Sequence, residues 1–179
     1  MNIAVLGATG SIGASTLDVV AAHPERYRVF ALSAHGSAEA LLELCRVHQP
    51  RFAVLSGVTE DGGIRARFSE SKTQVLFGHG ALEEVVRHPG CDAVMAAIVG
   101  GAGLRSTLAA AGAGKRLLLA NKEALVMAGP LVVRAARESG AQILPVDSEH
   151  NAVFQCFSNK ADRNIYHEGA KAGSVPEFP

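Results

Sequence analysis

The apolar run Asn2–Leu6 passes directly into Gly7-Ala8-Thr9-Gly10-Ser11-Ile12-Gly13, and that turn into a helix-forming stretch lasting to about Ala22. This opening strand, glycine turn and helix constrains the chain more than any other feature. It is the first βα unit of a pattern that repeats to residue 146. Glycine accepts positive φ and lets another backbone or a pyrophosphate come close. A helix N-terminus adds free N–H donors and the positive end of a dipole. Thr9 and Ser11 add hydroxyl donors. The spacing is GxxGxxG rather than the commoner GxGxxG, and a glycine-rich βα turn that binds nothing has the same local pattern. Its place at the head of an alternating chain favours phosphate binding.

The alternation continues with strands predicted at Tyr27–Ser33, Phe52–Leu55, Thr73–Phe77, Ala93–Val99, Arg116–Leu119 and Gln142–Val146. Helices are predicted at Ala38–His48, Ala81–Arg87, Leu104–Ala111 and Glu123–Glu138, the last divided at Gly129-Pro130. His23-Pro24 ends the first helix, and Gly112 and Gly114 close the one after residue 104. Gly57–Lys72 reads as a short helix or a loop. This rhythm predicts an α/β fold: a doubly wound, mostly parallel sheet with helices on both faces. Residues 1–157 form one expected domain. Residues 158–179 lack periodicity and end in SVPEFP, which predicts a disordered or non-native tail.

Composition narrows the function. The chain has 179 residues, 48% of them apolar, and no formal net charge. That balance argues against binding nucleic acid or a membrane surface. Few aromatics and no Trp argue against a stacking platform for bases. No apolar run is long enough to span a bilayer, and a strand beginning right after Met1 leaves no room for a targeting peptide. Cys45, Cys91 and Cys156 form neither a CxxC pair nor a zinc spacing, so they read as reduced thiols of a cytoplasmic protein.

Three further segments follow strand ends, where parallel sheets bind ligands. After the second strand comes Leu32-Ser33-Ala34-His35-Gly36-Ser37, with no acid before Glu39. An NAD site usually places Asp or Glu there for the ribose 2′-hydroxyl; here a 2′-phosphate meets no repulsion, and His35 and Ser37 can donate to it. In Ala120-Asn121-Lys122-Glu123, Asn121 suits a helix N-cap and Glu123 a first turn, while Lys122 suits an anionic substrate group equally well. In Leu144-Pro145-Val146-Asp147-Ser148-Glu149-His150-Asn151, two carboxylates flank a hydroxyl. They can cap a helix, or hold a hard cation whose shell is completed by water, substrate and other protein oxygens. Oxygen ligands favour magnesium or manganese over zinc. His150 reads as structural or as a neighbour of the metal shell.

Taken together, GATGSIG with STLDVV, then MAAIVGGAGL, LLLANKEALV and LPVDSEHNAVFQ, resemble the 1-deoxy-D-xylulose 5-phosphate reductoisomerase family over about Met1–Gln155. The resemblance implies a Rossmann-type domain that binds NADPH. It also implies a divalent-metal-dependent rearrangement and reduction of a sugar phosphate, giving 2-C-methyl-D-erythritol 4-phosphate for isoprenoid synthesis. By resemblance Thr9, Gly10, Ser11 and Ile12 hold the cofactor pyrophosphate, and His35, Gly36 and Ser37 lie at the adenosine ribose phosphate. Asn121 and Glu123 also contact the cofactor. Lys122, Ser148 and Glu149 contact substrate, Asp147 and Glu149 bind the metal, and Lys122 and Glu149 carry the catalytic roles. Full-length members are expected to be cytoplasmic homodimers. His35-Gly36-Ser37 departs from the basic residue and Asn often found in that loop. Members are also much longer, with the third metal ligand, the phosphate-binding residues and a lid beyond this resemblance. The chain is therefore expected to bind NADP(H) and to turn over little or no substrate alone. Two other functions compete. One is a non-catalytic NADP-binding module. The other is a GATG-type dehydrogenase of the aspartate-semialdehyde kind, which requires a nucleophilic Cys and has no place for DSEHN.

Overall fold

The structure, a computed structural model, describes residues 1–69 and 71–146. Seven strands form one sheet: β1 (Asn2–Leu6), β2 (Arg28–Ala34), β3 (Phe52–Leu55), β4 (Gln74–Phe77), β5 (Ala93–Ala96), β6 (Arg116–Leu119) and β7 (Gln142–Pro145). All six pairings are parallel, in the order β4-β3-β2-β1-β5-β6-β7. Six α-helices connect them: α1 (Ser11–Ala22), α2 (Ala38–His48), α3 (Gly62–Phe68), α4 (His79–Arg87), α5 (Leu104–Gly112) and α6 (Lys122–Ser139).

A central parallel strand is buried on both faces, so it carries an unbroken apolar run. In β1 the period of two sends Ile3 and Val5 to one core and Ala4 and Leu6 to the other. Ile3 and Val5 join Leu17, Val20, Leu41, Leu55 and Phe68 under α1, α2 and α3. Ala4 and Leu6 join Leu82, Val86, Val94, Leu117, Val132 and Ile143 under α4, α5 and α6. Helices therefore cover both faces, as the alternation predicts.

The boundaries differ in instructive ways. Gly57–Lys72 contains a helix, α3, capped by Asp61, whose carboxylate accepts from Gly63 N (2.7 Å) and Ile64 N (3.0 Å). β5 ends at Ala96 instead of Val99. Ala97 N still donates to Leu6 O (3.1 Å), after which the chain leaves the sheet for a single 3-10 turn, Gly100–Gly103. α4 begins at His79, two residues before Ala81. Gly112 is the last residue of α5, and of these two glycines Gly114 is the one that takes a positive φ (+70°). α6 is kinked at Ala128 (φ −147°, ψ 27°), because Pro130 lacks an N–H and its ring crowds the carbonyl four residues back. Among the described residues no helix is long and apolar enough to cross a membrane.

The strand order positions the site. From β1 the chain builds outward through β2, β3 and β4, then returns across the sheet to lay β5 on the other side of β1. The segments leaving β1 and β5 thus diverge above their shared carboxyl end, which is where open parallel sheets form a ligand crevice.

Candidate functional site at the β1–β5 switch point

Each of the three turn glycines has its own structural reason. Gly7 lies at φ +81°, and a Cβ there would sit 2.8 Å from Ala97 O. Gly13 packs the first turn of α1 onto the glycine turn itself: its Cβ would overlap Gly7 O and lie 2.6 Å from Ala8 Cα. Gly10 is the N-cap of α1 and has no side chain to cap it. The helix therefore offers the N–H groups of Ser11, Ile12 and Gly13 without carbonyl partners of its own. The turn is tied to β2, since Ser33 Oγ accepts from Gly7 N (3.0 Å) and Ser33 O from Ala8 N (2.8 Å).

A crevice of about 380 Å³ opens here, lined by Gly7, Thr9, Gly10, Ser33, Ala34, His35, Ser56 and His79 on one side and Ala97–Val99 and Ala102 on the other. Thr9, Gly10 and His35 thus come together. Ser11 and Ile12 line a neighbouring groove on the sheet face instead. Gly36 and Ser37 are exposed beside His35, and the Ser37 hydroxyl does not cap α2. Glu39, the first acid after β2, is paired with Arg67 of α3. No free carboxylate from that loop opposes a phosphate.

Asn121 is 3% exposed and works as a clamp. Its Oδ1 accepts from Ala124 N (3.1 Å), capping α6, while Nδ2 donates to Ile98 O (2.5 Å) and Gly100 O (3.0 Å). Gly103 leaves room for it; a Cβ there would lie 2.6 Å from Nδ2. The side chain thus holds the far wall of the crevice against the start of α6. Lys122 is exposed and Glu123 half-buried in the first turn of that helix, at the same sheet end. Asp147, Ser148, Glu149, His150 and the tail lie outside the described residues, as does Cys156. β7 ends at Pro145 on this side of the sheet, with Val146 N donating to Leu119 O (3.1 Å). Among the described residues no three His, Cys, Asp or Glu side chains are grouped to hold a metal.

Sequence reasoning missed Ser33, Ser56 and His79. Ser33 and Ser56 are buried at strand ends and look like ordinary core positions. His79 follows β4 and a left-handed Gly78 (φ +83°), so a strand-end search extended to β4 finds it. The cysteines stay apart from the crevice. Cys91 precedes β5, at the opposite end of the sheet, and its Sγ donates to Ala93 O (3.4 Å). Burial pushes the Cys91 thiol up to about 11 and the Cys45 thiol up to about 12, so neither is a ready nucleophile.

A parallel sheet reversing at β1, with a glycine-capped helix N-terminus on the resulting crevice, defines an α/β protein of Rossmann type. The sequence profile of the 1-deoxy-D-xylulose 5-phosphate reductoisomerase family matches residues 3–129, and the chain belongs to that family. The reductoisomerase of Ralstonia nicotianae is 60% identical over 159 residues, which are 88% of this chain and 40% of that protein. The one from Pseudomonas putida is 54% identical over 172 residues, 95% of this chain and 43% of that protein. A DOX-P reductoisomerase solved in complex with NADPH, fosmidomycin and magnesium is 46% identical with a TM-score of 0.83, over 94% of this chain and 42% of the other. The chain thus spans about two fifths of the length of these relatives.

Proposed function

We propose that this chain is the NADPH-binding part of an enzyme that converts 1-deoxy-D-xylulose 5-phosphate to 2-C-methyl-D-erythritol 4-phosphate with a divalent metal, magnesium or manganese. The observation that carries the proposal is the switch-point crevice. Thr9 and Gly10, the residues leading into the uncapped N-terminus of α1, line it, Gly7 and Gly13 keep the turn free of a Cβ that would clash with its own backbone or Ala97, and the loop after β2 places no unpaired acid there. The donor set fits a dinucleotide phosphate, and the neutralised Glu39 favours NADP over NAD.

In this proposal Thr9 and Gly10, with the backbone of Ser11 and Ile12, hold the pyrophosphate. His35, Gly36 and Ser37 take the adenosine ribose phosphate. Asn121 positions the wall formed by Ile98–Val99, and Glu123 stands beside the cofactor. Lys122 pairs with the substrate. Asp147 and Glu149 are the proposed metal ligands, with Ser148 and Glu149 at the substrate. The bound nucleotide supplies the reducing equivalent and the metal polarises the substrate carbonyl. The chain's own contribution is to orient both against one sheet end. Residues 1–157 make up the proposed domain; residues 158–179 lie outside the described residues. A cytoplasmic setting and a homodimer of the longer relatives belong to the same proposal; the buried, unpaired Cys45 and Cys91 are in keeping with a reducing compartment.

A second reading, a cofactor-binding module without turnover, is favoured for this chain by itself. The chain spans about two fifths of the length of its relatives. Titrating the 179-residue chain with NADPH by cofactor fluorescence, then adding manganese and 1-deoxy-D-xylulose 5-phosphate, tests both. Binding without NADPH oxidation is expected. Oxidation would rule out the module, and absence of binding would remove the cofactor proposal altogether.

A further inference from the structure

The crevice holds two imidazoles, from elements that are not neighbours in the sheet. His35 leaves β2 and His79 opens α4 after β4, with β3 lying between. Their ring centroids are nevertheless 6.2 Å apart, inclined at 45°. The exit of β3 makes this possible. Gly57 N donates to His35 O (2.7 Å), and a Cβ at Gly57 would overlap His35 Cε1 and stand 2.5 Å from Nδ1. Any side chain at residue 57 would displace the ring. Without one, His35 lies across the end of β3 towards His79.

Both rings are exposed and both line the crevice. Among the described residues neither pairs with a carboxylate. Glu39 and Glu60, the first acids after β2 and β3, are each taken by an arginine, Arg67 and Arg65. An imidazole N–H donates to a phosphate oxygen in either protonation state. One bond of about 2.8 Å from each ring to a single phosphate fits the observed separation.

We infer that His79 acts with His35 as a two-point clamp on the 2′-phosphate of NADP(H), so that discrimination against NAD(H) resides in the pair and not in the loop after β2 alone. The inference rests on the proposed cofactor site and adds a specificity-determining residue to it.

The test measures the affinity of the chain for NADPH, NADH, adenosine 2′,5′-bisphosphate and adenosine 5′-monophosphate. It compares the unaltered chain with His79→Ala, His79→Gln, His35→Ala and the double alanine variant, with thermal midpoints recorded alongside. Loss of His79 is expected to weaken NADPH and the 2′,5′-bisphosphate about tenfold and to leave NADH and the monophosphate within about twofold. The double variant should bind NADPH and NADH alike. His79→Gln keeps the helix start and a neutral donor, so it gives the same selectivity readout with a smaller loss if the alanine variant folds poorly. Equal weakening of both dinucleotides would assign His79 to the shared adenosine and overturn the clamp. An unchanged ratio would overturn it too. If the unaltered chain binds neither dinucleotide, the cofactor site itself fails, a result distinct from binding both without preference, which sinks the clamp alone.

Discussion

At the scale of single residues, space decides more than polarity. Gly7 must be glycine twice over, once for φ +81° and once because any Cβ would come within 2.8 Å of Ala97 O. Gly7→Ala is expected to cost about 2–4 kcal/mol from left-handed strain and the backbone clash, read as a fall in urea midpoint, with NADPH affinity lost as the turn shifts. The buried thiols make a second residue-scale case. Burial raises Cys45 to about 12 and Cys91 to about 11 from an ordinary 9.0. The native state therefore keeps its protons where the unfolded chain has lost them. The stabilisation is fully present below about pH 9 and is lost as pH rises through the folded values. The unfolding midpoint should fall between pH 9 and 11, and a Cys45→Ala/Cys91→Ala variant should show a flatter profile over that window. An equally steep profile in that variant would assign the decline to other groups.

Among elements, every strand and all the helices but α3 were legible, because each strand is an apolar run bounded by turn residues and most helices carry a local stop. His23-Pro24 ends α1, and Pro130 kinks α6 at Ala128. What was not legible is where a strand gives up its partner. Ala97–Val99 is as apolar as Ala93–Ala96, so local pattern extends β5 by three residues. The chain departs after Ala96, and beyond that point Asn121, just past the carboxyl end of β6, holds it by donating to Ile98 O and Gly100 O. Asn121 has the local signature of a cap, and it is one, yet its two other bonds join elements more than twenty residues apart. Asn121→Ala should destabilise the chain by about 2 kcal/mol, since it removes a cap and strands two carbonyls. It should also weaken NADPH through the displaced crevice wall. A midpoint within error of the unaltered chain would show that the clamp is dispensable.

Across the described residues, the two sheet faces are covered unequally. α5 and α6 pack on one side of β6 and β7, over Leu117, Leu119 and Ile143. On the other side Leu118 and Leu144 border a groove of about 560 Å³ with Ile12, Val19 and Met95. Val19 on its α1 wall is 55% exposed. A contiguous apolar groove of this kind binds hydrophobic dyes in the native state. Val19→Lys is expected to reduce native-state dye fluorescence severalfold while shifting the thermal midpoint little; unchanged fluorescence would locate the dye elsewhere. Local sequence sufficed for the alternation of strands and helices, the burial of the central strands on both faces, the glycine turn at Gly7–Gly13 and the absence of an acid directly after β2, because each is a property of a few adjacent residues. That Ser33 steadies the turn, that Arg67 neutralises Glu39, that Asn121 holds the exit of β5 and that His79 reaches His35 over Gly57 is visible in the folded chain alone. The physical reason is the parallel sheet. Its crossovers bring together, at one end, side chains separated by tens of residues, and no local periodicity carries the strand order that does so.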